Sequence, residues 1–394
     1  LHHLPSFEAY LDNQITAAQL LNHHRSEFPY QTFLELALLY HNAGFTDKAI
    51  KVLEAGPKHM LNTLWQAYLT QDKAALLSIF NTSVDFVFPF RRESIPMLQW
   101  VTSQSDHWKG NYLLGLNWMA LNQKDKGINL LQRLDNRPNT ANFYWIRSQL
   151  TPQSQSKSVF ADLERAYQMN PKNWRIALDY IDHFETNKNW NEALKVLKKI
   201  DKEHPQNFRI GLRLANALNN TNQFEKTIAL LDKLHVLPYE HATGSRSIYT
   251  NAFWGSALNG LQKGKWSETS QLLLKALEWP EKLGVGKPFN PEERLTLMLL
   301  AYAEQQQNKK SNQHLEKIVA YSKKHLNKGG KNCLVGLYAI QFFEGETAAK
   351  EYANQLRQVG SEETSIQEAL QFYFAHPANE LTLPLLKALV GFIQ

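Results

Sequence analysis

The sequence predicts an all-α chain: a right-handed superhelical α-solenoid of paired antiparallel helices, with a long non-helical connector near 84–92. Three observations predict it. Residues of like kind recur 34 positions apart: Pro171 and Pro205, Asn173 and Asn207, Trp174 and Phe208, Trp190 and Phe224, Ala193 and Thr227, Leu197 and Leu231. Self-similarity at a fixed period of roughly 20–50 residues marks a stack of repeated units. Within each period, apolar residues step by three and four, the spacing of one helix face. Finally, 394 residues exceed one ordinary core at roughly 100–200 residues per domain. A stack evades that limit because each repeat touches only its neighbours, and Gly (18) and Pro (15) are sparse enough for helix throughout.

The unit from Asn173 to Pro205 shows how the period works. Ala177, Leu178, Ile181 and Phe184 share a face, Asn187-Lys188-Asn189 supplies turn chemistry, and Trp190, Ala193, Leu194, Leu197 and Ile200 form a second face. His204-Pro205 closes it, since proline disfavours helix in the residue before it. The next unit repeats the plan with Leu212, Leu214, Ala215 and Leu218, a turn at Asn219 to Asn222, then Phe224, Ile228, Leu231 and Leu234. Small residues such as Ala193 let paired helices approach, and Trp190 or Phe224 fills the joint between units.

Elsewhere the pattern is looser. Residues 1–29 read as one or two helices. Pairs follow at Phe33–Leu53 and Leu61–Phe80. Val84 to Arg92 is too aromatic and too short for a repeat helix and reads as an extended connector. Its bland role is apolar packing under a long loop, and its functional alternative an aromatic-basic ligand strip. Leu114, Gly115 and Trp118 with Gly127, Ile128, Leu131 and Leu134 make a strong pair. Phe143–Leu150 and Val159–Ala166 make another, separated by a polar, mobile turn at Thr151–Ser158. Trp266 lies 42 residues after Phe224, and the extra residues fall near His241 to Tyr249. Trp279–Asn290 reads as a loop; pairs follow at Leu295–Ala303 with Leu315–Tyr321 and at Leu334–Phe343 with Ala348–Leu356. The expected organisation is therefore N-terminal helices and repeats (1–83), connector and short helix (84–105), regular repeats (106–238), repeats with insertions (239–360) and capping helices (361–394).

The aromatic, the small residue and the closing proline at these offsets resemble the tetratricopeptide repeat (TPR), a helix–turn–helix unit. Asp106-His107-Trp108-Lys109-Gly110-Asn111-Tyr112-Leu113-Leu114-Gly115-Leu116, Asp162 to Ala166 running into Asn170-Pro171, and Trp279 to Pro288 resemble the C-terminal TPR region of large bacterial proteins with an upstream domain of unknown function, itself like galactose-mutarotase β-sandwiches. The resemblance implies the C-terminal part of a longer polypeptide with a carbohydrate connection, and it carries no catalytic residue to this chain. A start within a helix-like stretch, without an initiator Met, points the same way.

Net charge is +6 with a sequence pI near 9.0, and no basic stripe is visible, which argues against nucleic acid. Cys333 is the only cysteine, so no internal disulfide or multi-cysteine site can form. No apolar run reaches the ~18 residues of a membrane span. Gly284-Val285-Gly286-Lys287 lacks the spacing of a phosphate loop, and Pro288 stands where the hydroxyl belongs. The histidine pairs His2-His3 and His23-His24 face different ways on a helix and read as solvated. Asp106 reads as a helix N-cap rather than a catalytic partner of His107. No catalytic, cofactor or metal site is therefore expected.

The first helix of each pair should line the concave side. In the two regular repeats it projects Arg175, Asp179, Asp182, Arg209, Arg213 and Asn216. Arg209 and Arg213 stack four residues apart and suit a carboxylate or phosphate. The bland alternative is a solvated face with Arg175–Asp179 and Asp182–Arg213 ion pairs. The expected function is a non-catalytic scaffold for a protein or peptide, or for the upstream domain of the same polypeptide. The rival is a carbohydrate module using aromatics such as Trp254, Trp266 or Trp279.

Overall fold

The computed structural model describes residues 4–24, 27–238, 244–309, 312–326, 328, 330–359 and 363–394, and among them every regular element is helical. The chain divides into two compact units, Leu1–Tyr180 and Ile181–Gln394. Each is a stack of antiparallel helix pairs, an α-solenoid, as the periodicity requires.

The first unit runs through α1 (Leu4–Leu11), α2 (Ala17–His23), α3 (Pro29–Asn42), α4 (Thr46–Ala55), α5 (Met60–Thr70), α6 (Lys73–Phe80), α7 (Ser94–Gln104), α8 (Trp108–Ala120), α9 (Lys124–Arg133), α10 (Ala141–Leu150) and α11 (Ser156–Met169). It ends within α12 (Trp174–Thr186). The pairs α3/α4, α8/α9 and α10/α11 pack closely. Phe7, Phe33, Leu64, Leu98, Tyr112 and Phe143 are fully buried along one continuous core. The turn at Thr151–Ser158 is shorter than its composition suggests. A 3-10 turn at Gln153–Gln155 leads straight into α11, which starts at Ser156.

The second unit contains α13 (Trp190–Glu203), α14 (Phe208–Asn220), α15 (Phe224–Leu231), α16 (Gly244–Gln262), α17 (Trp266–Ala276), α18 (Arg294–Gln305), α19 (Asn312–Lys324), α20 (Cys333–Glu344), α21 (Glu346–Val359), α22 (Thr364–Ala375) and α23 (Leu383–Ile393). The residues that break the 34-residue period go mainly into helix. Residues 244–249 extend α16 to 19 residues, whereas α14 has 13; His241 lies outside the described residues. The loop after α17 is pinned rather than free. Val236 N donates to Lys282 O at 2.8 Å, Ser245 Oγ to Leu283 O at 2.7 Å, and the Leu283 side chain is buried.

The turns share one conformational requirement. Gly44, Asn122, Lys188, Asn222, Gly264 and Asn308 all take positive φ just after the first helix of a pair. A left-handed residue there reverses the chain, and Gly and Asn tolerate it best. This is why Asn and Gly cluster at those offsets in the sequence.

Candidate interaction site

The six polar residues of the regular repeats lie on α12 and α14, on either side of the division between the units. In the first unit, Asp179 accepts from Trp145 Nε1 at 2.6 Å and Gln149 Nε2 at 2.9 Å. Trp145 and Asp179 are one 34-residue period apart, so the same slot in consecutive repeats is bridged by a hydrogen bond. The Arg175 guanidinium sits 4.5 Å over its own Trp174 ring. In the second unit, Arg213 pairs with Asp182 at 2.5 Å and with Glu185 at 2.9 Å. Half-burial raises the Glu185 carboxyl above its ordinary value, against the lowering pull of Arg213. Asn216 accepts from the Asn220 amide at 3.3 Å. Arg209 is exposed, and no carboxylate pairs with its guanidinium among the described residues. One turn of α14 thus carries two arginines in different states: Arg213 neutralised by two carboxylates, Arg209 open to solvent.

Glu185 is the member that sequence reasoning missed. It lies three residues beyond Asp182, hence on the same helix face, and that spacing alone could have placed it.

The connector sorts its side chains in an unexpected way. Val84, Val87 and Pro89 are buried, whereas Phe86, Phe88 and Phe90 are 81%, 52% and 47% exposed. Apolar packing under the loop is therefore done by the aliphatics and not by the aromatics. Phe86 adopts φ +61°, a left-handed conformation costly for a bulky side chain. Arg91 pairs with Glu35 of α3, and its carbonyl accepts from the buried Asn117 amide at 2.9 Å, which fastens the C-terminal end of the connector. On its other side lies a cleft of 680 Å³ bounded by His59, Asn62, Gln66 and Asp85.

At the start of α8 the cap is His107, not Asp106. The His107 Nδ1 accepts from Lys109 N at 3.3 Å, while Asp106 is exposed and pairs with Arg137 at 3.5 Å. His59 caps α5 in the same way, accepting from Leu61 N at 3.3 Å. His2 and His3 lie outside the described residues. Among the described residues no three His, Cys, Asp or Glu side chains come together as a metal site, and no helix is long and apolar enough to cross a membrane.

The three tryptophans of the carbohydrate alternative are each engaged within the fold. Trp254 Nε1 donates to Thr296 Oγ1 at 2.9 Å, Trp266 meets Tyr302 edge-on at 6.4 Å between centroids, and Trp279 lies under the Arg246 guanidinium at 4.2 Å.

Residues 157–206 and 184–235 match the sequence model of the tetratricopeptide repeat. No curated protein matches. Among solved structures, a tetratricopeptide repeat protein from Parabacteroides merdae is 13% identical, over 70% of this chain and 98% of that one, with a TM-score of 0.29. The C-terminal part of a TPR repeat-containing protein from Cytophaga hutchinsonii is 10% identical over 76% and 99%, with a TM-score of 0.31. The P58(IPK) TPR domain is 12% identical over 95% and 97%, with a TM-score of 0.29. The part of this chain that matches the family sequence model, 157–235, carries tetratricopeptide repeats, and that is the stretch in which the 34-residue period is most regular.

Proposed function

We propose that the chain is a non-catalytic scaffold that docks a protein or peptide, the domain upstream in its own polypeptide being one candidate. The observation that carries this reading is the tetratricopeptide match over 157–235, within a chain of paired helices. Repeats of this kind present extended surfaces on which partners lie. Within the second unit, the polar face of α14 is the place for the contact. Arg209 offers an open guanidinium, which grips a carboxylate with two parallel hydrogen bonds. Arg213, already satisfied by Asp182 and Glu185, holds the surface in shape beside it.

The test separates the two arginines. A partner recovered by crosslinking to the wild-type chain is identified, purified and titrated against Arg209→Ala. Loss of one charge-assisted contact weakens binding by about tenfold or more, with the melting temperature unchanged because Arg209 supports nothing internal. Equal affinity of wild type and Arg209→Ala removes the α14 face as the contact surface. Arg213→Ala is the wrong probe, since it strands the half-buried Glu185 and perturbs folding.

A further inference from the structure

Lys109 is the second residue of α8 and is 8% exposed. Its ammonium donates to Phe80 O and, at 2.5 Å, to Thr82 O, which closes off carbonyls at the C-terminal end of α6. Two of its three protons are used on neutral carbonyl acceptors, and the ammonium also lies 5.5 Å over the Trp108 ring, so its partners are all uncharged. No carboxylate pairs with it among the described residues. A buried charge with no counter-charge is costly, and folds retain one only where something offsets it. Burial accordingly pulls the Lys109 ammonium below its ordinary range.

Lys109 also lines a polar cleft of 410 Å³ between the start of the connector and the α9–α10 loop. Asp85 lines the same cleft. Its carboxylate accepts from Ser83 Oγ at 2.9 Å, Asn142 Nδ2 at 3.4 Å and Thr140 Oγ1 at 3.5 Å, all uncharged donors. The two opposite charges do not pair with each other. The remaining wall is amide and hydroxyl, from Asn81, Asn139 and Asn170 among others, with Met169 as an apolar edge. A cleft of this make-up suits neither an apolar ligand, which needs apolar walls, nor a dianion, which Asp85 would repel.

We propose that this cleft binds a free α-amino acid as its zwitterion, its carboxylate on Lys109 and its ammonium on Asp85. The ligand supplies the counter-charge that each side chain lacks, and a small side chain rests against Met169. The site lies wholly within the first unit and is independent of the α14 surface.

The experiment is a thermal-shift and calorimetric screen of the twenty common α-amino acids, each beside its N-acetylated and its carboxamide form, on the full chain. A specific amino acid at about tenfold above its Kd is expected to raise the midpoint by roughly 2–4 °C. Neither blocked form does so, and Asp85→Asn, an exposed substitution, weakens binding at least about tenfold. Lys109→Met abolishes binding if it folds; Asp85→Asn decides the matter if it does not. Equal binding of the N-acetylated form, or of peptides through a free C-terminus, overturns the zwitterion in favour of a simple carboxylate site. Absence of any response up to about 10 mM overturns the site altogether.

Discussion

His59 and His107 show how one side chain can serve two ends. Each accepts a backbone N–H at the start of a first helix through Nδ1, and each is stacked, His59 on Tyr30 at 3.6 Å and His107 on Phe80 at 4.5 Å. The cap requires the neutral ring, because a protonated imidazole has no acceptor. Burial lowers the affinity of both rings for a proton, and the Lys109 ammonium lowers that of His107 further. Folded values below the ordinary 6.5 mean that the unfolded chain binds more protons in the window beneath 6.5. Stability is therefore full above about pH 6.5 and falls as the pH drops through that window, each cap being worth about 1 kcal/mol. Melting curves between pH 7 and 5 should show the loss, and His59→Asn/His107→Asn, which caps without titrating, should flatten it. An unchanged slope in the double variant would mean that other groups set the acid response. The sequence made Asp106 the obvious cap, and only the helix start one residue later gives the role to His107.

Arg294 is the other residue whose role the sequence did not show. It is 1% exposed, with its guanidinium on Glu292 at 2.5 and 2.8 Å, on Lys328 O at 3.2 Å and on Ser322 Oγ at 3.4 Å. It ties the loop before α18 to the end of α19. Replacing it with Ala leaves the Glu292 carboxylate without its partner and opens a cavity, for a cost of about 3–5 kcal/mol in urea unfolding. A loss below about 1 kcal/mol would place the tie among weak surface pairs.

At the scale of the element, close approach decides. A Cβ on Gly127 of α9 would fall 2.7 Å from the Met119 sulfur and 2.9 Å from Gly115 O, a backbone atom that cannot swing away. On Gly255 of α16 it would fall 2.3 Å from the Phe224 ring. Both alanine substitutions thus wedge packed helices apart and should cost about 1–3 kcal/mol each, despite the better helix propensity of alanine. Gly391 of α23 has open space around it, so Gly391→Ala should be neutral or slightly stabilising in the same denaturation series. If all three behave alike, helix propensity rather than contact governs these sites. Such contacts explain what the sequence made legible. Gly115, Gly127, Ala193 and Thr227 stand at small-residue offsets and marked the pairs correctly, because the period repeats the same helix crossing. Residues 244–249 break the period, and the polar stretch 151–158 reads as a turn, although 244–249 and 153–158 are carried into helix. The candidate surface was legible only as positions: the period put Asp179 and Arg213 in one slot, but which carboxylates each cation meets depends on rotamers that no spacing encodes.

At the scale of the molecule, the second unit departs from a nearest-neighbour stack. Its last helix, α23, packs not only on the α22 end but against α16 and α18, and Lys387 Nζ donates to Gln262 Oε1 at 3.1 Å across 125 residues of sequence. Leu385, Leu386, Leu389 and Val390 are buried there in the same core as Ala257, Leu261 and Leu299. In an open solenoid, removing a terminal helix loosens only the adjoining repeat. Here the long-range contact makes a different prediction. Deleting residues 380–394 should lower hydrogen-exchange protection in α16 and α18 as well as in α20 and α22, because the apolar faces that α23 covers are then open to water. The pairs α3/α4 and α8/α9 of the first unit should keep their protection. Exposure confined to α20–α22 would show that the C-terminal helix is a simple end cap. Loss of protection at α16 would show that it staples the unit closed through the C-terminal end of α16, where Ala257, Leu261 and Gln262 meet it.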